Sequence, residues 1–329
     1  VSAIGFGAAP LGDLYDVLAD DVAIATVEAA IAGGITLLDT SPHYGNGLSE
    51  HRVGTAVRRA GRDNVVLSTK VGRRMDPRSR PRAPAADVFS PGFAGGTPHG
   101  AVFDYSYDGT MRAFEQSLLR LGTDRIDLLL IHDVDVWTHG ADLIDQRFGE
   151  AMEGAYRALE RLRAEGAVKG IGVGVNEADI CVRFAESGDF DCMLLAGRYS
   201  LLEQPALQHF LPLARRRGIG VMLGGVFNSG ILATGAVPGA RYNYAVAPPE
   251  VLSRVRRIEA VCARHSVPLA QAAVQFALGH PAIASVVLGA VTPAEVLRNL
   301  DAVVRPISPV FWAELKAERL LAADAPVPV

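Results

Sequence analysis

Eight mostly continuous apolar runs punctuate the chain, at residues 3–8, 35–39, 65–70, 126–132, 168–174, 190–196, 219–223 and 284–288. Few alternate with polar positions, so they read as strands covered on both faces rather than strands half in water. Between them, apolar residues recur at helical spacing. Asp20 and Asp21 open one such stretch with two acids in its first turn, and Gly33-Gly34 closes it. Met111, Phe114, Leu118 and Leu121 line one face of a predicted helix over 110–121, ended by Gly122. Tyr156, Leu159 and Leu162 do the same over 153–165, before Gly166. Residues 205–217 finish on three arginines that suit a helix carboxyl terminus. Residues 251–265 and 270–278 read as consecutive helices, the second entered through Pro268.

Strand then helix, repeated, predicts an α/β protein whose parallel strands close into a (β/α)8 TIM barrel. An open doubly wound sheet is the alternative. It would usually present a glycine-rich phosphate loop at its first strand-to-helix turn, and Gly5-Phe6-Gly7 lacks the third glycine. With no internal repeat and no composition break, residues 1–329 read as one barrel domain. Two connections are too long to be simple joints, 72–107 and 233–249. They leave the carboxyl ends of the third and seventh strands, the face on which a barrel carries its site, and are expected to wall it.

Three strands end on chemistry. Ile35-Thr36-Leu37-Leu38 stops at Asp39, with Tyr44 five residues on; the third strand ends in Lys70 and the fourth in His132. A tyrosine has a reference pKa of about 10, and a charged lysine beside it favours the phenolate. Asp39, Lys70 and Tyr44 are the residue types of such a relay, with His132 placed to orient a substrate oxygen. The set suits proton transfer at a carbonyl or alcohol, paired with a hydride transfer that needs a bound cofactor.

A net charge of -4 without clusters argues against a nucleic-acid partner. Cys181, Cys192 and Cys262 lack pairing or metal-ligand spacing and read as reduced thiols of a cytoplasmic protein. No signal peptide is expected ahead of the first strand. The longest uncharged run, 269–294, is broken by Gly279, His280, Pro281 and Gly289, so a helix followed by a strand is expected rather than a membrane span. His43, His51, His99, His209, His265 and His280 are read as structural, Arg73 and Arg74 as solvated, and Tyr105, Tyr107 and Tyr199 as packing residues. Trp137 and His139, just beyond His132, are candidates for the substrate pocket.

Asp39-Thr40-Ser41-Pro42-His43-Tyr44-Gly45, with Ser49-Glu50 and Gly54 downstream, resembles the first signature of the aldo-keto reductases. Leu121-Gly122-Thr123-Asp124-Arg125-Ile126-Asp127-Leu128 resembles the second. The resemblance runs from Gly5 to about Asn299 and implies Tyr44 as proton donor or acceptor, tuned by Asp39 and Lys70, with His132 orienting substrate. It also implies a dinucleotide, NAD or NADP, held over the barrel rim by Asn176, Gly225, Phe227, Asn228, Ser229, Gly230 and Leu232, and by Gly289, Thr292, Glu295, Arg298 and Asn299. Glu295, near the ribose 2′ position, points to NAD. The chain departs from the family where Gly224 replaces a tyrosine that stacks on nicotinamide, and where Gly174-Val175 replaces a Ser-Asn pair. Gly7-Ala8-Ala9-Pro10-Leu11-Gly12, Ile131-His132-Asp133-Val134-Asp135 and Gly172-Val173-Gly174-Val175-Asn176-Glu177 resemble the branch of D-threo-aldose (L-fucose) and L-galactose dehydrogenases and a pyridoxal 4-dehydrogenase.

The leading expectation is therefore oxidation of a cyclic hemiacetal, a sugar or pyridoxal, to its lactone. NADPH-dependent aldehyde reduction is an alternative within the family. A Schiff-base aldolase using Lys70 and a non-catalytic nucleotide-sensing subunit are the alternatives from other classes. The oligomeric state is not written in the sequence.

Overall fold

The computed structural model describes residues 1–79 and 92–328. The barrel strands are β1 (Ile4–Gly7), β2 (Leu37–Asp39), β3 (Val66–Val71), β4 (Leu128–His132), β5 (Gly170–Val175), β6 (Cys192–Ala196), β7 (Gly220–Gly224) and β8 (Ile283–Gly289). Each pairs in parallel with its neighbours, and β8 returns to β1 to close the barrel. Every expected strand is present, its ends within two residues of those expected; the last is longer by one residue at each end. The alternation of side chains explains why the polar ends converge. Leu37, Leu130, Leu194, Met222 and Val287 form a small cluster of their own inside the barrel. Two residues further along the same strands lie Asp39, His132, Ala196, Gly224 and Gly289, which must face the same way. Lys70 joins them, being in register with Leu130. The carboxyl rim thus carries three large polar groups, with glycine at Gly174 and Gly224 to leave room.

Helices α1 (Asp20–Ala32), α2 (Leu48–Ala60), α3 (Tyr107–Leu121), α4 (Arg157–Ala164), α5 (Ala178–Ser187), α6 (Phe210–Arg217), α7 (Pro249–Arg264), α8 (Leu269–Leu278), α9 (Pro293–Asp301) and α10 (Pro309–Ala317) surround it. The larger core lies between this ring and the outward faces of the strands. Helix α3 begins three residues before its predicted start because Ser106 caps it, accepting from Gly109 N at 3.1 Å. The helix expected over 153–165 is longer: it begins at Ile144 and passes through a π-helical turn, Ala151–Tyr156, before α4. At Gly154 in that turn an added Cβ would lie 2.4 Å from the Tyr105 carbonyl, so the wide turn brings the backbones of two segments together.

The two long connections are not structureless. Arg73–Asp76 pairs antiparallel with Gly100–Phe103, and Arg241–Tyr242 with Ala245–Val246. Part of the first connection, residues 80–91, lies outside the described residues. At the amino end of the barrel, Asp127 accepts from Leu67 N at 2.9 Å, from Arg62 Nη2 at 2.6 Å and from Lys169 Nζ at 2.9 Å. The second signature motif is therefore structural, tying β3, β4 and β5 together far from the rim. Among the described residues no helix is long and apolar enough to cross a membrane.

Candidate active site

Lys70 and Asp39 are 1% and 3% exposed, and Nζ lies 2.7 Å from Oδ2. Two buried charges are costly unless their remaining bonds are made. Lys70 also donates to the Thr40 carbonyl at 2.8 Å, and Ser68 Oγ donates to Asp39 Oδ1 at 2.8 Å. The ammonium lies 5.0 Å from the centroid of the Tyr44 ring. A lysine so buried and so paired is a fixed charge rather than a free amine, which gives the Schiff-base alternative no support.

The expected lowering of the Tyr44 pKa is not found. Burial holds it well above the ordinary tyrosine value, the Asp39 and Asp133 carboxylates push it further up, and Arg73 pulls it down. The first reason is burial, which disfavours the phenolate; the second is that Lys70 is already paired with Asp39, whose carboxylate opposes ionisation of the phenol. Tyr44 in the free protein is a protonated phenol.

The backbone that carries Tyr44 is clamped by glycines. A Cβ on Gly12 would sit 2.5 Å from the Tyr44 carbonyl carbon, and one on Gly45 would sit 2.5 Å from the Gly12 oxygen. Gly45 also has φ +61°, a region costly for side-chain-bearing residues. On the other side a Cβ on Gly96 would meet the Gly45 oxygen at 2.6 Å. Three chain segments therefore stack backbone on backbone at the turn that carries Tyr44. Behind it, Ser49 Oγ donates to the Ala8 carbonyl at 2.7 Å, and buried Glu50 accepts from Thr69 Oγ1 at 2.7 Å and Arg120 Nε at 2.6 Å. Ser49 and Glu50 of the signature are thus buttresses of the rim.

His132 meets Tyr44 edge to face, ring centroids 6.0 Å apart. Its Nδ1 lies 3.1 Å from Ser41 Oγ and 3.3 Å from Arg73 Nη1. A guanidinium only donates, so Nδ1 is the accepting nitrogen and the proton of the neutral ring sits on Nε2. Burial, then Arg73 and Lys70, hold the His132 pKa well below its usual value, so the ring stays neutral. Nε2 faces Asp133 Oδ1 at 3.4 Å.

Two residues read as bystanders stand at this wall. Arg73, expected to be solvated, is 7% exposed, donates to Asp133 Oδ2 at 2.7 Å and lies 4.2 Å over the Phe103 ring. The hairpin turns it inward, and an opposite charge made available only by the fold keeps it there. His43, expected to be structural, packs against Phe93 at 5.3 Å and His132 at 6.1 Å, and its buried Nδ1 has no partner. Its place directly before Tyr44 was the one available signal. Tyr105 does pack, as expected, but its hydroxyl also donates to the His132 carbonyl at 2.8 Å and meets His139 Nε2 at 3.0 Å. His139 is therefore engaged behind the wall. Trp137 lies under the Arg198 guanidinium at 5.5 Å, beside Asn176, whose carbonyl accepts from Arg198 Nε at 2.7 Å.

Asp135 takes both the backbone N–H of Asn176, at 2.8 Å, and its Nδ2, at 3.1 Å. That leaves the Asn176 side-chain oxygen to accept a ligand donor. Burial and Asp133 raise the Asp135 pKa to about 6, against the pull of these bonds. Beyond β7, Gly225, Asn228, Ser229 and Gly230 all have left-handed φ. Phe227 packs on the core and Leu232 is buried, anchoring the loop. Asn228 Nδ2 donates to Glu203 at 2.9 Å, while its buried Oδ1 has no partner; Ser229 Oγ accepts from Tyr244 N at 2.9 Å. An added Cβ at Gly224 would make only ordinary contact, 3.5 Å from Leu194 Cδ2 and 3.9 Å from Ala196 Cβ, so nothing at the strand end excludes a small side chain there. At the other rim segment Thr292 caps α9, accepting from Glu295 N at 3.3 Å, Glu295 accepts from Val291 N at 2.8 Å, and Asn299 donates to the Gly289 carbonyl at 3.1 Å. Arg298 is exposed, 3.6 Å from Glu295. A buried Asn228 amide oxygen without a partner among the described residues and a capped helix start fit an extended dinucleotide along this rim.

The sequence profile of the Aldo/keto reductase family matches residues 3–319. Over 326 residues the chain is 43% identical to a pyridoxal 4-dehydrogenase of Microbacterium luteolum, covering 98% of this chain and 95% of that one. It is 40% identical to a D-threo-aldose 1-dehydrogenase of a Pseudomonas species over 98% and 95% of the two chains, and 29% identical to L-galactose dehydrogenase of Arabidopsis thaliana over 92% and 84%. Among solved structures, an aldo-keto reductase from Bacillus halodurans in its holo form superposes with TM-score 0.75 over 99% of this chain and 94% of its own, at 24% identity. At that identity the superposition speaks for the fold alone. With a closed barrel, the Asp39–Lys70–Tyr44–His132 rim and a profile spanning nearly all its length, the chain belongs to the aldo/keto reductase family, as an oxidoreductase acting on CH–OH groups.

Proposed function

We propose that the protein is an NAD-dependent dehydrogenase of cyclic hemiacetals, oxidising an aldose such as L-fucose or L-galactose to its lactone. The observation that carries the reading is the pairing of Tyr44 with a neutral His132 above the buried Lys70–Asp39 pair. In this reading both address the reacting oxygen, His132 through its Nε2–H and Tyr44 through its phenol, their rings edge to face with centroids 6.0 Å apart. In the oxidative direction Tyr44, once ionised, takes the anomeric hydroxyl proton while His132 holds that oxygen. The carbon gives up its hydrogen with both electrons, and its C–O bond becomes the lactone carbonyl. A bound nicotinamide dinucleotide supplies the two-electron acceptor. Asn176, Gly225, Asn228, Ser229, Gly230, Gly289, Thr292 and Asn299 are the residues that would hold it. Glu295 favours NAD, because a carboxylate accepts from a ribose 2′-hydroxyl and repels a 2′-phosphate.

No water and no thiol are needed. All three cysteines are buried, and burial raises the pKa of Cys192 to about 12 and of Cys262 to about 11. They supply no thiolate for oxidising an open aldehyde, and they suit a cytoplasmic enzyme. Pyridoxal is the second reading, favoured by the 43% identity to a pyridoxal 4-dehydrogenase; its internal hemiacetal presents the same reacting group. The test is reduction of NAD with L-fucose, L-galactose, D-arabinose and pyridoxal, with products taken before spontaneous ring opening. Lactone and NADH together support the proposal. Free acid as the first product, or aldehyde reduction by NADPH alone, rejects it.

A further inference from the structure

Around His132 the folded chain leaves several polar groups unfilled on one wall. Arg73 spends Nη1 on Asp133 Oδ2, at 2.7 Å, and on His132 Nδ1, at 3.3 Å. Its Nε and Nη2 find no acceptor among the described residues. Asp133 Oδ1 has only the 3.4 Å approach of His132 Nε2. His43 Nδ1, next along, is buried with no partner. Of these atoms only His43 Nδ1 is fully buried and unpartnered among the described residues, while the Arg73 and Asp133 atoms keep a little access beside it; a polar wall of this kind is where a ligand would complete the bonding. Asp133 is also held in an unusual backbone state, φ +55°, with its N–H on the Gly174 carbonyl at 2.9 Å. Phe103 beneath Arg73 and the Tyr105 hydroxyl, 3.3 Å from the Asp133 carbonyl, fix the pair from behind.

Resting on the assignment of Tyr44 and His132 to the reacting oxygen, we infer that Asp133, held by Arg73, receives the hydroxyl on the carbon next to the one oxidised. Nε2 donates to the reacting oxygen in that assignment, and Asp133 Oδ1, 3.4 Å from Nε2, is close enough to accept from a hydroxyl on the adjoining carbon of the same ligand. A carboxylate there requires a donor at that position. The C2 hydroxyl of an aldose donates. In pyridoxal the adjoining carbon is a ring carbon without a hydroxyl, and the nearest oxygen, one carbon further, is an ionised phenolate that accepts and carries like charge to Asp133. The pair therefore selects 2-hydroxy hemiacetals, and the Arg73 donors and His43 serve hydroxyls further round the ring.

D-Arabinose and 2-deoxy-D-ribose differ only in the C2 hydroxyl, so their kcat/KM ratio reads this contact. The ratio is expected to be roughly 10- to 100-fold in the native enzyme. Asp133→Gly and Asp133→Asn both tolerate left-handed φ; the first should bring the ratio to within about threefold and the second to an intermediate value. A purely structural role would slow both sugars alike and leave the ratio unchanged, which overturns the inference, as does a native ratio near one. Oxidation of pyridoxal but of no aldose overturns it while leaving the hemiacetal reading intact. Failure with every hemiacetal overturns both.

Discussion

Lys70 gives its ammonium to Asp39 at 2.7 Å and shows Tyr44 only the residual field of a neutralised pair, 5.0 Å from the ring centroid. The pair is a fixed foundation for the rim, and its two members are expected to separate in stability and activity. Lys70→Met leaves Asp39 buried without a counter-charge and should cost about 3 kcal/mol. Adding Asp39→Asn should restore most of that loss in a denaturant titration without restoring turnover. If the single variant unfolds at the native midpoint, the pair contributes nothing.

Tyr44→Phe should lower turnover by at least roughly 10²-fold while the dinucleotide still binds, because only the acid–base group is removed. Steady-state kinetics beside a fluorescence titration with the dinucleotide separates the two effects. Retention of more than about a tenth of the native rate would move the acid–base role elsewhere.

The raised pKa of Tyr44 fixes the sign of the pH dependence. Oxidation needs the phenolate, and the ionised fraction below the pKa grows about tenfold per pH unit. The oxidative kcat/KM should therefore climb across the neutral and mildly alkaline range, while reduction, which uses the phenol, should not. Arg73→Met removes the charge that lowers this pKa and should displace the oxidative profile to higher pH. An oxidative rate that falls with rising pH would contradict this protonation state.

Cofactor choice is best tested with Glu295→Gln. Glu295 also closes the start of α9 by accepting from Val291 N, so replacing it with arginine would confound cofactor preference with a lost cap, worth about 1 kcal/mol. Glutamine keeps an acceptor and removes the charge. The kcat/KM ratio for NAD over NADP should fall with thermal stability nearly unchanged; an unchanged ratio means that the carboxylate does not face the ribose.

Asp127 offers a prediction at the other end of the barrel. Although burial opposes it, bonds from Leu67 N, Lys169 and Arg62 hold its pKa below the ordinary value. A depressed carboxylate contributes stability above its unfolded pKa of about 4, lost as pH falls through the folded value. Asp127→Ala should cost roughly 3 kcal/mol near neutrality, with the deficit narrowing in acid. Chemical denaturation across pH checks both.

The strands were legible because each is covered on both faces, so their runs are continuous and their polar ends conspicuous. The four rim residues followed from that periodicity and from the signature. Arg73 and His43 did not, because a single chain position carries no record of the charge or ring that will face it across the barrel. The hairpin at Arg73–Asp76 was hidden for the same reason: its polar residues look solvated until Asp133, Asp104 and Asp76 are placed beside them. The early start at Ile144 was hidden because the π turn shifts the apolar spacing on which helix reading depends.

The three glycines stacked at the Tyr44 turn have a genetic consequence. Gly12 lies outside the polar rim and touches the Tyr44 segment only through main-chain atoms. In a saturation library scored by growth on the substrate, Gly12, Gly45 and Gly96 would be as intolerant as Tyr44 itself. The alleles there would sort with catalytic knockouts, and only purified protein would show that they had lost the seat of the tyrosine rather than its chemistry.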